Sequence, residues 1–174
     1  GGAVHLEAGA HSLNVVAMSV GENVDGNPFA FYGLQYGAAV KSALGEGHYR
    51  FIFESTNKKF LDVSGSSLKN RYGGVLSFDQ EVGPILGGWI RAGIQDGGAA
   101  INFQNLYSGG VNVRGELWGR PSDNVGIGHA LLNGGNKGID RSTVTEAYWR
   151  IGLTETVAFN LDVQHLRDTY VTGA

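Results

Sequence analysis

Val157-Ala158-Phe159-Asn160-Leu161-Asp162-Val163-Gln164 carries apolar side chains at its odd positions and mostly polar ones at its even positions. A period of two is the mark of a β-strand with one oily and one wet face, because successive Cβ atoms point to opposite sides of the pleat. The preceding segment has the same pattern. Ala147, Trp149, Ile151 and Leu153 alternate with Glu146, Tyr148, Arg150 and Gly152, and Thr154-Glu155-Thr156 lies between the two as a turn. If Leu153 and Val157 flank that turn, the antiparallel register sets Arg150 opposite Asn160, Tyr148 opposite Asp162 and Glu146 opposite Gln164.

The alternation continues back along the chain. Val125, Ile127 and Leu131 oppose Gly126, Gly128 and Ala130; Val111, Val113 and Leu117 oppose Asn112, Arg114 and Glu116; Ile90, Ala92 and Ile94 oppose Arg91, Gly93 and Gln95. Tyr72, Leu76 and Phe78, then Tyr49, Phe51 and Phe53, then Tyr32, Leu34, Tyr36, Ala38 and Val40 repeat it, and a weaker segment runs from Leu13 to Val20. Turn-forming clusters separate these runs, among them Gly45-Glu46-Gly47, Gly83-Pro84, Asp96-Gly97-Gly98, Arg120-Pro121-Ser122-Asp123 and Asn133-Gly134-Gly135-Asn136. The pattern predicts about nine antiparallel strands in an all-β fold. Helices are disfavoured, since Gly occupies 29 of 174 positions and each interior Gly costs a helix about 1 kcal/mol relative to Ala.

A soluble sandwich and a transmembrane β-barrel share this alternation and differ in the wet face. Bulk water favours Lys, Glu and Thr there, whereas this chain offers Gly, Asn, Gln, Ser and isolated charges, as the wall of a water-filled lumen does. The apolar face carries Tyr32, Tyr49, Tyr72 and Trp149 near strand ends, the positions of an aromatic girdle. No apolar run approaches the roughly 20 residues of a spanning helix. Across the set, a register slip of one residue would put Arg114 and Asp162 into hydrocarbon, so Val111, Val113, Leu117, Val125, Ile127, Ala147, Trp149, Ile151, Phe159, Leu161 and Val163 are expected to face lipid.

Charge narrows the partners. A net charge of −3 with a pI near 5.9 supplies no basic field for nucleic acid. Zero Cys removes disulfides, thiolate metal sites and Cys nucleophiles together. No cofactor or metal is expected: the five His never fall at i, i+4 around a Glu, and Lys41-Ser42 lacks the Gly of a phosphate loop. Asn23-Val24-Asp25-Gly26-Asn27 begins with calcium-loop spacing, but Pro28 stands where the turn Gly is needed, so it reads as a plain turn. Glu116 and Glu146 could form the carboxylate pair of a glycosidase; Arg114 and Arg150 beside them would hold both ionised, against the need for a general acid, so no enzyme is expected.

The residues singled out are ionisable or polar side chains on the wet face: Lys41, Arg50, Glu54, Arg91, Arg114, Glu116, Glu146, Tyr148, Arg150, Asp162 and Gln164. Arg91, Arg114, Glu116, Glu146, Tyr148, Arg150, Asp162 and Gln164 are the candidate solute-lining set. If Leu117 pairs with Val125, Gly128 and Gly126 face Arg114 and Glu116 and leave them room. Mixed-sign donors and acceptors with a phenol suit neutral polyhydroxy solutes better than an ion of one sign.

Trp118-Gly119-Arg120-Pro121-Ser122-Asp123-Asn124-Val125-Gly126-Ile127-Gly128 resembles the C-terminal half of the carbohydrate-selective porins of the OprB family, which have a comparable Gly-Arg-Pro turn, Asp and Gly-rich strand. The likeness extends through Thr145-Glu146-Ala147-Tyr148-Trp149-Arg150 and Leu161-Asp162-Val163-Gln164-His165-Leu166, and covers mainly residues 85–170. It implies a bacterial outer-membrane barrel of about sixteen strands that passes sugars and small solutes, commonly as a homotrimer, with outer-membrane lipid around it. Asn160-Leu161 stands where the family tends to place a Pro. No final aromatic-ended strand follows Tyr170, which implies that residues 1–174 are a single partial-barrel segment with strands lying before Gly1 and after Ala174. The rival readings are a plugged structural barrel anchoring an envelope assembly and a soluble sugar-binding β-domain.

Overall fold

A computed structural model describes residues 1–22 and 26–171, so Asn23, Val24 and Asp25 of the plain-turn expectation lie outside the described residues. Ten strands form one antiparallel sheet in strict sequence order. They are β1 (Gly2–Ala8), β2 (His11–Glu22), β3 (Pro28–Ser42), β4 (Gly45–Leu61), β5 (Leu68–Val82), β6 (Leu86–Gln95), β7 (Phe103–Arg114), β8 (Asn124–Gly134), β9 (Ile139–Gly152) and β10 (Ala158–Tyr170). The sequence reading of about nine strands misses β1, although Val4 and Leu6 alternate with His5 and Glu7 there. The hairpin register at the C-terminal end is the expected one, with Arg150 paired to Asn160, Tyr148 to Asp162 and Glu146 to Gln164.

The β7 expectation needs correction. β7 stops at Arg114, and Gly115–Trp118 form a 3-10 turn, so Leu117 and Glu116 leave the sheet; Val125 pairs with Val113 instead, and Arg114 with Asn124. The cause is local. A Cβ at Gly115 would run into the Arg120 carbonyl, and Gly119 takes a left-handed φ of 75° to close the turn. Asp123 fixes the loop: its Oδ2 accepts from Arg120 Nε at 2.8 Å and Trp118 Nε1 at 3.4 Å, and its Oδ1 accepts from the Gly152 N–H at 3.0 Å.

The described residues form a single layer. Among the described residues the buried apolar side chains are Ala99 and Ile101, in the β6–β7 loop, where Asn136 clasps the chain. The Asn136 amide donates to the carbonyls of Gly97 and Ala99 at 2.8 Å each and accepts from the Ile101 N–H at 2.8 Å. Elsewhere among the described residues the apolar face meets no second sheet or helix. Ile90 is 61% exposed, Ile94 63% and Val163 72%, and Val111, Ile127, Trp149, Phe159 and Leu161 share that face and are also exposed, by 42–55%.

The apolar band crosses the sheet obliquely. From Leu161 the ladder of paired residues runs through Trp149, Val125, Val113 and Leu86 to Val82, and at the same register across β4 it reaches Ser42 in β3. Yet the apolar residues of β3, Tyr32 to Val40, are centred on Tyr36, six residues from Ser42. At ~3.4 Å per residue and ~4.8 Å per strand, that displacement over the seven steps from β3 to β10 means strands tilted by about 30° to the band. Membrane barrels tilt their strands by about 35–45°.

Candidate functional site

The opposite face holds the polar groups, and three rungs of the ladder define it. The first contains Glu81, Gly87, Asn112, Gly126, Tyr148 and Asp162; the second contains Asp79, Trp89, Gly110, Gly128, Glu146 and Gln164. Arg50, Ser77, Arg91 and Ser108 begin the third. Of the eight solute-lining candidates, Glu146, Tyr148, Arg150, Asp162 and Gln164 are brought together on β9 and β10, Arg114 and Arg91 lie on the same face on β7 and β6, and Glu116 sits in the 3-10 turn beyond the strand.

Glycines decide the shape of this face. Trp89 lies flat across β7 and β8: a Cβ at Gly110 would come within 2.8 Å of its Nε1, and one at Gly128 within 3.2 Å of its ring. Tyr148 occupies the space over Gly126 in the same way and donates its hydroxyl to Asn124 Oδ1 at 2.6 Å. Gly110 and Gly128 are thus cradles for an indole, the arrangement in which an aromatic ring covers the bare backbone of a strand glycine. A recess of about 210 Å³ opens between the two rings, with Asn112, Gly128 and Glu146 in its lining. Two aromatic rings flanking an amide and a carboxylate suit a ring with apolar C–H faces and peripheral hydroxyls. A larger hollow of about 850 Å³ lies mainly on the apolar face, where Gly88 and Gly109 leave a gap among Tyr49, Phe78 and Ile90; its lining is unsuited to a polar solute.

Charges surround the recess, and most are held. Arg114 Nη2 donates to Glu81 Oε1 at 2.5 Å, Arg50 pairs with Asp79, and Gln164 donates to Glu146. Arg91 donates to Ser77 Oγ at 3.3 Å and stacks over the Trp89 ring at 4.9 Å, while Arg150 reaches the Ser122 carbonyl at 2.9 Å. Partly exposed pairs of this kind contribute about 0–1 kcal/mol to stability. Their effect is on the field in front of the wall.

Arg114 therefore answers Glu81, not Glu116, and the glycosidase pairing of Glu116 with Glu146 does not form: Glu116 stands six residues past Gly110, the β7 residue on the rung of Glu146. Trp89 and Asn112 are the site residues that sequence reasoning missed. Trp89 has the parity of Arg91, Gly93 and Gln95, so extending that alternation two residues back would have placed it on the polar face.

At the turn end of this face, Asp123 is held down to about 2, first by the Arg120 side-chain hydrogen bond. Its ordinary value is 3.8. A depressed carboxyl contributes stability above its unfolded value and loses it as pH falls through the folded one. The 115–123 loop is expected to stay closed at pH 4 and to open as pH drops from about 3.8 toward 2, followed by Trp118 fluorescence. Asp123→Asn should abolish that step and lower the thermal midpoint at pH 7. An unchanged acid transition in the variant would assign it to other groups.

No family model and no curated protein matches the sequence. Among solved structures the chain is similar to OprB of Pseudomonas putida at high pH, with a TM-score of 0.77 and 15% identity over 94% of this chain and 53% of that one. The chain spans about half the length of that structure. At this identity the likeness is one of fold: an antiparallel sheet with the course of a barrel wall.

Proposed function

We propose that the ten strands form part of the wall of a bacterial outer-membrane channel through which carbohydrates and other small polar solutes diffuse, with no chemical step. The observation that carries this reading is the two-faced single layer: an exposed apolar band on one side, and on the other a polar face with an aromatic-flanked recess. A soluble sugar-binding domain would have to leave that whole apolar face in water, at about 25 cal/mol per Å². The likeness in fold to OprB supports the channel reading over it. In hydrocarbon the free edges of β1 and β10 need strand partners, so this wall is completed by further strands.

Lumenal charge gives the first test. Arg114→Ala removes a cation and frees Glu81, so conductance in a planar bilayer is expected to rise modestly and the cation-to-anion permeability ratio at 0.1 M KCl to rise about two-fold. Arg150→Ala should act in the same direction, and Asp162→Asn in the opposite one. Glu116→Gln, off the strand wall, should change little. Sugar block of the current is expected in the unmodified chain. A bilayer without conductance steps would favour the plugged structural barrel, and identical ion preference in all variants would leave these residues as wall structure. Mass measurement of the detergent-solubilised protein tests the homotrimer that the sequence resemblance implies.

A further inference from the structure

On β9 and β10 the paired carboxylate-bearing residues Glu146, Asp162 and Asp168 have the even parity of the polar face, Asp140 falls at the bulge where the two strands change register, and Arg141 and Arg167 have the odd parity of the apolar face. Six of the eight arginines are engaged: Arg50, Arg114 and Arg120 by carboxylates, Arg71 by Gln95, Arg91 by Ser77 and Trp89, and Arg150 by a carbonyl. Among the described residues Arg141 and Arg167 alone make no such contact, and both are exposed.

They are also neighbours. Arg141 pairs with Thr169 and Arg167 with Thr143, which makes the two arginines diagonal partners on one face, with side chains rooted about 7–8 Å apart. Like charges at that spacing repel, and among the described residues neither arginine has an ion pair to relieve it. Their height is equally specific. On β10 the apolar run Phe159, Leu161, Val163 gives way to His165, Arg167 and Thr169, and on β9 Ile151, Trp149, Ala147 gives way to Thr145, Thr143 and Arg141. Arg167 lies four residues beyond Val163, roughly 14 Å along the strand at ~3.4 Å per residue. That is where hydrocarbon ends and headgroups begin.

We propose that Arg141 and Arg167 bind the phosphate groups of phosphorylated lipid packed against the outside of the wall. Guanidinium groups present paired N–H donors that match phosphate oxygens two at a time, and a rim between apolar strand and water places them against lipid phosphate, not against a solute in the lumen. The proposal rests on the membrane reading above and adds a ligand to it.

The test uses the whole chain reconstituted in phosphatidylcholine vesicles containing one-tenth diphosphoryl lipid A, or the same lipid after removal of its phosphates, followed by flotation, mild detergent extraction and mass-spectrometric counting of retained lipid A. The unmodified chain is expected to retain the phosphorylated form at least five-fold over the dephosphorylated one. Arg141→Gln with Arg167→Gln should bring that ratio close to one, and the double Lys variant should keep part of it. Equal retention of both forms by the unmodified chain overturns the proposal whatever the variants do, as does an unchanged ratio in the double Gln variant. A chain that floats and fails to discriminate loses the lipid site alone; one that does not float with either vesicle overturns the membrane reading too.

Discussion

Ile90→Arg is expected to cost about 2–4 kcal/mol of folding free energy in a bilayer, the penalty for a guanidinium near the midplane on the lipid side of a barrel strand. Ile90 lies on β6 within the oblique apolar band and is 61% exposed on a face where nothing else packs. The next residue is already an arginine. Arg91 is accommodated because the pleat turns it to the other face, against Ser77 and the Trp89 ring, so the two positions differ in environment and not in local strand propensity. Gln35→Arg, on the polar face of β3, is the matched control and should fall within about 0.5 kcal/mol of the parent. Equilibrium urea unfolding in phosphatidylcholine vesicles measures all three proteins. Equal costs at Ile90 and Gln35 would mean that the apolar face does not meet lipid.

The strands were legible because a period of two is written directly in residues such as Phe159, Leu161 and Val163, and a one-residue slip would be expensive. Pairing across the Thr154–Thr156 turn was legible for the same reason, since a short turn leaves one register that keeps both apolar faces together. The β7–β8 connection was not. Val-Arg-Gly-Glu-Leu keeps the alternation through residues 113–117, but alternation does not report a Cβ clash, and Gly115 meets the Arg120 carbonyl only once residues 119–123 have folded back. That loop closure moved Leu117 and Glu116 off the wall. Trp89 was missed because the alternation of this segment was read from Ile90 onward; its parity puts it on the polar face, but the space it occupies depends on the coincidence of Gly110 and Gly128 on its rung, from strands 20 and more residues away.

Trp89→Ala is expected to raise the dissociation constant for sugar block of the channel about ten-fold. An aromatic side chain of this class presents about 150–250 Å², and covering roughly a quarter of it with the C–H face of a solute ring, at about 25 cal/mol per Å², gives about 1.3 kcal/mol, close to one decade. The substitution also unstacks Arg91, so a rise in block constant alone could come from a displaced charge. Arg91→Gln separates the two, because it should shift ion preference while leaving most of the block, whereas Trp89→Phe should restore block without restoring the full ring area. Gly110→Val provides the reciprocal test from the other strand. Its Cβ would stand 2.8 Å from the indole nitrogen and 2.7 Å from the Ile127 carbonyl, so the ring must lift from the wall into the path, lowering conductance as it weakens block. If Trp89→Ala and Gly110→Val both leave block unchanged, the indole serves only to cover the glycine backbone, and the solute contacts lie with Tyr148, Asn112 and Glu146 across the recess.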